Sequence, residues 1–535
     1  MPDAERGIQP AAAHPYQACV NAAILRKLLE VTAMQEATPP VDLDACEQEP
    51  LAFSGSIQDV GGLIATKAND GSVCYLSDNI ERWFDIPPDP KTPTLDSLFF
   101  DNCDYFSHRQ RSIFKGKHFL IANVTSNRGV EGDVMLSVNE SLHIYEFEPK
   151  PSPATPENKT AESAPGFVHD SNKLPGSIEV EKLIRRIHAL THYPKIMLYR
   201  FLDGDAGEVV AELSDPGLAS YQGLRFPASD IPQIARALYI DNPFRLIFDT
   251  QMPTSQVKGL SAEPAEVPDL SLSTLRSVSP VHLEYLGNMG VRSSASFPVV
   301  VMGRLWGLLA LHAVTATPIP IAQRVAVTAM IEQRLARELM NSQINEDHAL
   351  FNSNAERLRF CAKALIAMRD GDTDVPLPNG LFELVDCDAL IVNLNGECIY
   401  RDELIEPEAA WAITEVGRRE ASRNVFKTDS LARYMTQTDA LRQRASGLLY
   451  CSCGPDTAGP QLEIMWLKSE QTVKVSWAGK PDKVHSEING ETRISPRRSF
   501  EAWNDEIYGH SDAWDSSNVM LASKLMVAVL TRSVG

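Results

Sequence analysis

The chain has 535 residues, with 50 Lys and Arg against 70 Asp and Glu, a formal charge of −20. That balance argues against nucleic acid or an anionic membrane as the main partner, since both are polyanions that need basic surface. With 44% hydrophobic and 22% charged residues the chain is not globally disordered. No apolar run reaches the roughly 18 residues of a membrane span. The N-terminus lacks a basic stretch followed by an apolar one, so no secretory leader is expected. Nine cysteines without a C-x-x-C pair predict reduced thiols and a cytoplasmic protein. Cys451 and Cys453, the only close pair, read as small apolar side chains on a strand rather than metal ligands.

Residues 1–45 read as an arm, with helical apolar spacing over 21–36 ended by Pro39 and Pro40. From 46 to 150 short apolar stretches alternate with turns. Strands are predicted at 61–65 and 73–76 around Asn69, Asp70 and Gly71, then at 119–124, 134–138 and 143–147, which makes a small α+β domain. A linker at 151–172 follows, within a stretch rich in Pro, Ser, Thr and Ala. The next domain, 173–325, opens with a helix at 178–192 carrying Val180, Leu183, Ile184, Ile187 and Leu190 at helical spacing. A strand at 195–201 follows, and a hairpin of 295–302 and 305–312 turns at Gly303. Between them 217–273 is long and irregular, and loops of that length are usually functional. Residues 318–370 are strongly helical, with Ile321, Val325, Val327, Met330, Ile331, Leu335 and Leu339 as a seam able to pack two domains on one spine or to dimerise. A third α+β domain, 326–516, includes an extended segment at about 447–505 with strand-like runs at 448–453, 462–467 and 472–477. An apolar-periodic helix, 517–535, ends the chain. Three α+β regions joined by helices suggest stacked sensory modules rather than one large enzyme. Phosphate-loop, dinucleotide, zinc-protease and nucleophile-elbow motifs are absent from the sequence.

Three local features bear on chemistry. In P-A-S-D-I-P, 227–232, two prolines hold Asp230 in a pre-organised loop; a rigid turn with Asp230 capping the helix at 234–238 explains the spacing at least as well. His282 lies in S-P-V-H-L-E-Y, 279–285, a short helix with Leu283 and Leu286 on its apolar side, where a lone histidine is more often a core residue than a functional one. His312 closes a strand face made by Trp306, Leu308 and Ala310, as the polar edge of a pocket or as the wet end of the strand. Arg245 and Arg276 lie between these features. Two guanidinium forks and two imidazoles around an apolar wall suit a large, flat dicarboxylate; alone, the arginines read as surface residues.

Taken in order, these residues resemble a bacteriophytochrome over nearly the whole chain from about residue 42. D-A-C-E-Q-E-P at 44–50 and G-S-I-Q at 55–58 are similar to the start of that family's PAS domain. M-L-Y-R-F at 197–201, R-F-P-A-S-D-I-P at 225–232 and S-P-V-H-L-E-Y-L-G-N-M-G at 279–290 are similar to its GAF domain, which L-W-G-L-L-A-L-H at 305–312 closes. P-R-R-S-F at 496–500 resembles the tongue of its PHY domain. The resemblance implies an α+β chain of three tandem sensory domains (PAS, GAF and PHY) joined by long helices, with a knotted PAS–GAF junction and a tongue hairpin. It implies a red/far-red photoreceptor with a linear tetrapyrrole in the GAF pocket, Z/E isomerisation between rings C and D, and refolding of the tongue. Relatives that attach pigment through the GAF domain have a cysteine where this chain has Val281. Cys46 matches the bacterial attachment position and Cys19 does not, so biliverdin in a thioether to Cys46 is implied.

The resemblance also implies roles. The Asp230 carbonyl and His282 belong at the ring nitrogens, and His312 at the ring D carbonyl. Arg245 and Arg276, helped by Ser294 and Ser296, belong on the propionates. Tyr199, Phe226, Tyr239 and Tyr285 form walls. Asp230 pairs with Arg497 in the red-absorbing state and releases it as the tongue exchanges strand for helix. Trp466, Trp477 and Ser499 belong to the same arm, Ser499 as a candidate N-cap. The chain departs from the family at 57–61, where I-Q-P-H-G has become I-Q-D-V-G and puts packing beside ring A in question. It departs again at 466–470, with W-L-K-S-E for W-x-R-P-E. A homodimer and a separate or truncated output module are expected, with no enzyme in this chain. The alternatives are the sensor half of a truncated histidine kinase and a degenerate, pigment-free interaction protein.

Overall fold

The computed structural model describes residues 51–86, 98–100, 112–115, 117–150, 165–169, 177–202, 206–260, 267–372, 374–454, 461–481, 484–488, 491–495 and 499–532. The expected helix at 21–36, Cys19, Cys46 and Arg497 lie outside these residues. The chain divides into two compact units, one of Leu43–His348 with Lys474–Glu506 and one containing Ala349–Val473 with Ile507–Gly535.

In the first unit an antiparallel sheet runs in the order Ser56–Gln58, Thr254–Gly259, Val73–Ser77, Gly62–Lys67, Leu142–Pro149, Glu131–Val138, His118–Ser126 and Phe99–Phe100. Successive side chains alternate across a strand, and this sheet uses both faces. Ile64, Val134, Leu136, Tyr145 and Phe147 pack with Phe84 on one side, while Leu63, Ala65, Met135 and Ile144 join a larger core on the other. Two-sided burial is why these strands read in sequence as apolar runs.

A second sheet runs Arg245–Ile247, Ser293–Val301, Arg304–Ala313, Lys195–Phe201, Gly207–Ser214 and Arg225–Phe226, and Gln471–Ala478 and Ala502–His510 continue it. Helix Ser177–Thr191 packs Val180, Leu183, Ile184 and Ile187 into the same core as Leu309, Leu311 and Ala313. Strand alternation therefore turns Leu308, Ala310 and His312 to the opposite face. Met302 (φ 51°) and Gly303 (φ 79°) supply the left-handed pair that a two-residue hairpin needs. The stretch 217–273 is less irregular than its sequence suggests, because it contains helix Gln233–Asp241 and strands Arg245–Ile247 and Thr254–Gly259.

Thr254–Gly259 pairs with the first sheet, and Ser56–Gln58 lies between two limbs of this excursion. On one side Ser56–Gln58 pairs with 254–256. On the other, Gln58 donates its N–H to the Leu275 carbonyl (2.8 Å) and Ser56 accepts from the Ser277 N–H (2.9 Å). This is the interlocked PAS–GAF junction that the resemblance implies. The Gln58 amide imitates a backbone unit, donating to the Leu246 carbonyl (2.8 Å) and accepting from the Phe248 N–H (3.1 Å). The wholly buried Glu146 accepts from the Thr274 N–H (2.8 Å), the Thr274 hydroxyl (2.7 Å), the Leu275 N–H (2.9 Å) and the Ser273 hydroxyl. Glu148 pairs with buried Arg324, whose guanidinium lies over Phe244 (5.0 Å) and Phe248 (5.5 Å). Burial outweighs that partner and raises the Glu148 pKa.

Ile321–Met330 leads into a π turn, Ile331–Leu335, and then Ala336–Arg369. Ile321, Val327, Ile331, Leu335 and Leu339 of the expected seam are buried in the larger core, with Val325 and Met330 packed against it.

The second unit has a five-stranded sheet in the order Glu397–Arg401, Ala389–Leu394, Leu462–Lys468, Gly447–Cys453 and Val425–Thr428. Leu449, Cys451, Cys453, Leu462, Ile464 and Trp466 face a core shared with the terminal helix Ser516–Thr531. Leu448, Tyr450, Met465 and Leu467 face a core that includes Ile413 and Val416 of helix Pro407–Glu420. The cysteine pair is thus apolar packing. Burial also corrects the expected extent of the tongue: 447–453 and 462–468 are central strands of this sheet, and the extended arm begins at Gln471. Trp466 is a core residue whose Nε1 donates to the Leu381 carbonyl (3.0 Å), not a member of the arm. Ser499 precedes a strand, Ala502–His510.

Glu146→Ala leaves the Thr274 and Leu275 N–H groups without their acceptor. Loss of charge-assisted bonds of this kind should lower unfolding stability by about 3 kcal/mol, read as a lower urea midpoint. An unchanged midpoint would show that Glu146 does not hold the junction.

Candidate functional site

The face of the second sheet opposite the helices carries the side chains singled out in the sequence. Lys195 and His312 are direct cross-strand partners, and Ser294 lies opposite His312 on its other side. Ser296 sits opposite Arg245 and Ala310. Tyr199 packs edge-on against Phe226 (5.9 Å) and Phe201 (5.3 Å), and Phe226 packs against Tyr221 (6.0 Å). These rings form one apolar cluster with Met197, Leu308 and Ala478, and Tyr239, Met289 and Phe500 pack against it. Gly207 is required here, because a Cβ at that position would lie 1.9 Å from the Tyr199 ring.

His282 projects from helix Pro280–Asn288 and stacks on Tyr285, centroids 5.8 Å apart and planes at 11°. The Tyr285 hydroxyl donates to the Asp230 carboxylate (2.9 Å), so that carboxylate is turned to the Tyr285 helix. Asp230 ends a 3-10 turn, Ala228–Asp230, and the next helix is capped by Pro232 without a side-chain bond. The capping role is therefore not what the residue does.

His282, His312, Tyr239 and Arg245 are half-buried. Burial, with the nearby Arg245 charge, lowers the His282 pKa to about 4. Burial, with Lys195 and then His282, lowers that of His312 to about 3. In the protein alone both rings are therefore neutral at pH 7. The His312 Nδ1 is buried with no hydrogen-bond partner among the described residues.

Arg245 donates to the carbonyls of Arg276 (2.5 Å), Ser277 (2.8 Å) and Thr274 (3.4 Å). Arg276 donates to those of Leu270 (3.2 Å) and Ser271 (3.1 Å). Neither arginine is a surface residue. Burial and then the Arg276 charge lower Arg245 to about 9, which leaves it charged at neutral pH. Burial raises the Tyr239 hydroxyl against its hydrogen bond with Ser296. Neither guanidinium has a carboxylate within ion-pair distance among the described residues. Two adjacent cations without such partners, beside two neutral imidazoles and an aromatic wall, make a site for a flat group bearing anionic arms.

Family models match this chain in order: a PAS fold over residues 46–150, a GAF domain over 179–341 and a phytochrome region over 368–533. Over 521 residues it is 31% identical to a bacteriophytochrome of Pseudomonas aeruginosa, covering 92% of this chain and 67% of that protein. The chain belongs to the bacteriophytochrome family. A bacteriophytochrome of Xanthomonas campestris is 27% identical over 522 residues, with 93% and 80% covered. In structure the chain is similar to the photosensory core module of the Stigmatella aurantiaca phytochrome, at 25% identity and a TM-score of 0.69, covering 92% of this chain and 99% of that one. The chain spans about two thirds of the length of the Pseudomonas relative. No helix among the described residues is long and apolar enough to cross a membrane.

Within this bacteriophytochrome the two sequence departures have different outcomes. Asp59 accepts from Ser255 (2.5 Å), Asn79 (2.8 Å) and Arg82 (2.8 Å). Burial works against its charge, but the bonds from Ser255, Arg82 and Asn79 hold its carboxyl below the usual range. Val60 packs against the larger core. The Asp59-Val60 change is thus accommodated by its own network. W-L-K-S-E belongs to the buried sheet of the second unit. Trp477 sits opposite Arg225 in the arm, and Phe500 packs edge-on against Tyr285 (5.1 Å). Sequence reading missed Gly479. Its φ is +81°, and a Cβ there would lie 2.0 Å from the Ser499 carbonyl oxygen, so the two limbs of the arm cross where only glycine fits. A glycine just after a β-branched run was the available signal.

Unfolded imidazoles bind protons near pH 6.5, while these two stay neutral down to about 4 and 3. Between those values the unfolded state holds more protons, so stability should fall as pH drops from about 6.5 towards 4. A His282→Gln, His312→Gln double variant should flatten that slope in a pH series of urea unfolding on pigment-free protein. An unchanged slope would mean that the rings are not buried neutral.

Proposed function

We propose that this chain is a red/far-red photosensory module that holds biliverdin in the GAF pocket by a thioether to Cys46. The observation that carries this reading is the gathering, on one sheet face, of two desolvated imidazoles, two adjacent guanidiniums and an aromatic wall. The orphaned His312 Nδ1 supports the fit, because a buried polar atom without a partner is costly unless a ligand or water completes it. A bound bilin would supply light absorption and Z/E isomerisation between its rings C and D.

The protein's own groups do the rest. Arg245 and Arg276, with Tyr239, Ser294 and Ser296, would hold the propionates. His282, kept neutral by its surroundings, can donate and accept at its two nitrogens. It would share the ring-nitrogen side with the Asp230 carbonyl, and His312 would serve the ring D carbonyl. Tyr199, Phe226 and Tyr285 would exclude water. Asp230 would pair with Arg497 in the red-absorbing state, so that a disturbance at the pocket frees the arm. The arm's strand form, seen in Gln471–Ala478 and Ala502–His510, fits the red-absorbing state on this reading. Trp477 and Ser499 flank the change. A homodimer and an output module, in a longer form of this chain or on a separate protein, complete the system. The direct test is absorption of the protein mixed with biliverdin, scanned before and after red light. No reversible red to far-red change would refute the reading.

Cys46→Ser should lose the pigment band on denaturing zinc-fluorescence gels while still taking up biliverdin non-covalently. A band lost in Cys19→Ser but kept in Cys46→Ser would reassign the attachment.

Arg497→Ala should leave pigment binding intact and destabilise the red-absorbing form. A charge-assisted pair of this kind contributes roughly 1.5–3 kcal/mol. An amide I infrared difference spectrum and a dark-reversion rate both equal to wild type would exclude the Asp230–Arg497 pair.

A further inference from the structure

We propose that Arg236 is a positioning residue that fixes the direction of the Asp230 peptide at the pocket, a role that rests on the bilin-binding reading above. The turn that carries Asp230 has few bonds of its own. Pro227 and Pro232 offer no N–H, and the turn is closed by the Asp230 N–H to the Pro227 carbonyl (3.0 Å) and the Ile231 N–H to the Ala228 carbonyl (3.3 Å). Arg236, one turn into helix Gln233–Asp241, reaches back over it. Its Nε donates to the Ile231 carbonyl (2.7 Å) and its Nη2 to the Ala228 carbonyl (3.5 Å). These two carbonyls bracket Asp230.

The guanidinium is itself held in place. It lies over the Phe201 ring at 4.7 Å, and Phe201 packs edge-on against Tyr199 of the pocket wall. On the far side the Asp230 carboxylate is anchored by the Tyr285 hydroxyl. Arg236 thus holds the backbone on both sides of Asp230, and Tyr285 holds its side chain. A planar fork stacked on a ring does this; an ammonium can take one carbonyl but cannot stack and fork together. An acceptor facing cationic nitrogens favours their protonated form only while it points at them, so loosening the bracket weakens that preference.

The first measurement uses pigment-free protein. Amide hydrogen exchange over 227–236 should be about tenfold faster in Arg236→Ala, and also faster in Phe201→Leu, which removes the stack and leaves the fork. In protein loaded with biliverdin, the apparent pKa of the bound pigment, read by absorbance, should fall by about one unit in Arg236→Ala and less in Arg236→Lys. Unchanged exchange in both Arg236→Ala and Phe201→Leu overturns the bracket. Faster exchange with a pigment pKa equal to wild type also overturns the proposal, because Arg236 would then only stabilise the loop. If wild-type protein takes up no biliverdin, the photoreceptor reading fails by itself, and the exchange result still decides the bracket. Should Arg236→Ala not fold, the Arg236→Lys and Phe201→Leu proteins carry both measurements.

Discussion

The structure turns on a buried carboxylate. Glu146 has no exposed surface and sits on a strand of the first sheet, yet its donors all come from residues 273–275 of the next domain. A charge in that position is tolerable only with its bonds complete, so the segment must lie where Glu146 needs it. Residues 274, 276 and 277 then present the carbonyls to which Arg245 donates, and helix Pro280–Asn288 starts a few residues later with His282 on it. The placement of an arginine and a histidine of the pocket thus follows from a hydrogen-bond requirement in another domain. Gln58 and the Glu148–Arg324 pair act in the same direction, which makes the two domains one body.

The pocket's electrostatics follow from placing cations close together in a confined space. Lys195, Arg245 and Arg276 are all partly or wholly buried, and burial depresses each of them. Desolvation, with the charge of Arg245 on His282 and of Lys195 on His312, keeps the two rings neutral. Neutral imidazoles have one donor and one acceptor nitrogen each, whereas protonated ones have two donors. Burial, reinforced by the neighbouring cations, therefore preserves an acceptor nitrogen on each ring.

Legibility in the sequence tracked the burial of each element. Strand 195–201 and the hairpin around Gly303 were readable because one face is apolar and the turn demands a left-handed residue. The two prolines around Asp230 marked its loop, but not its use: whether Asp230 caps a helix or meets Tyr285 depends on a contact 55 residues away. Arg245 and Arg276 read alone as surface residues because nothing local shows that carbonyls from 270–277 surround them. The tongue was placed too early since 448–453 and 462–467 are apolar, strand-like runs that continue without a break in pattern into 472–477. What separates them is helices packed on both faces, and that information lies in residues 358–385 and 405–445. Lys195, Tyr221 and Gly479 were passed over because each acts through a cross-strand or cross-limb neighbour.

The same contrast in burial separates the central strands from the arm. Strands Gly447–Cys453 and Leu462–Lys468 are buried on both faces, and Glu463 within them is locked to Arg418 by two bonds of 2.7 and 2.6 Å and to Tyr450 at 2.8 Å. Moving them would expose a core and strand a charge. In the arm, by contrast, Gln471, Thr472, Lys474 and 501–506 are exposed. Among the described residues its link to the GAF sheet is the parallel pairing of Trp477 with Arg225, supported by packing of Ala478 and Phe500. The Trp477 Nε1 is buried there without a hydrogen-bond partner among the described residues, a cost the strand form carries. The Gly479 crossing depends on a residue that also loses the most conformational freedom on ordering. Among the described residues the arm is therefore held by fewer buried contacts than the central strands, the physical condition for a lower local stability.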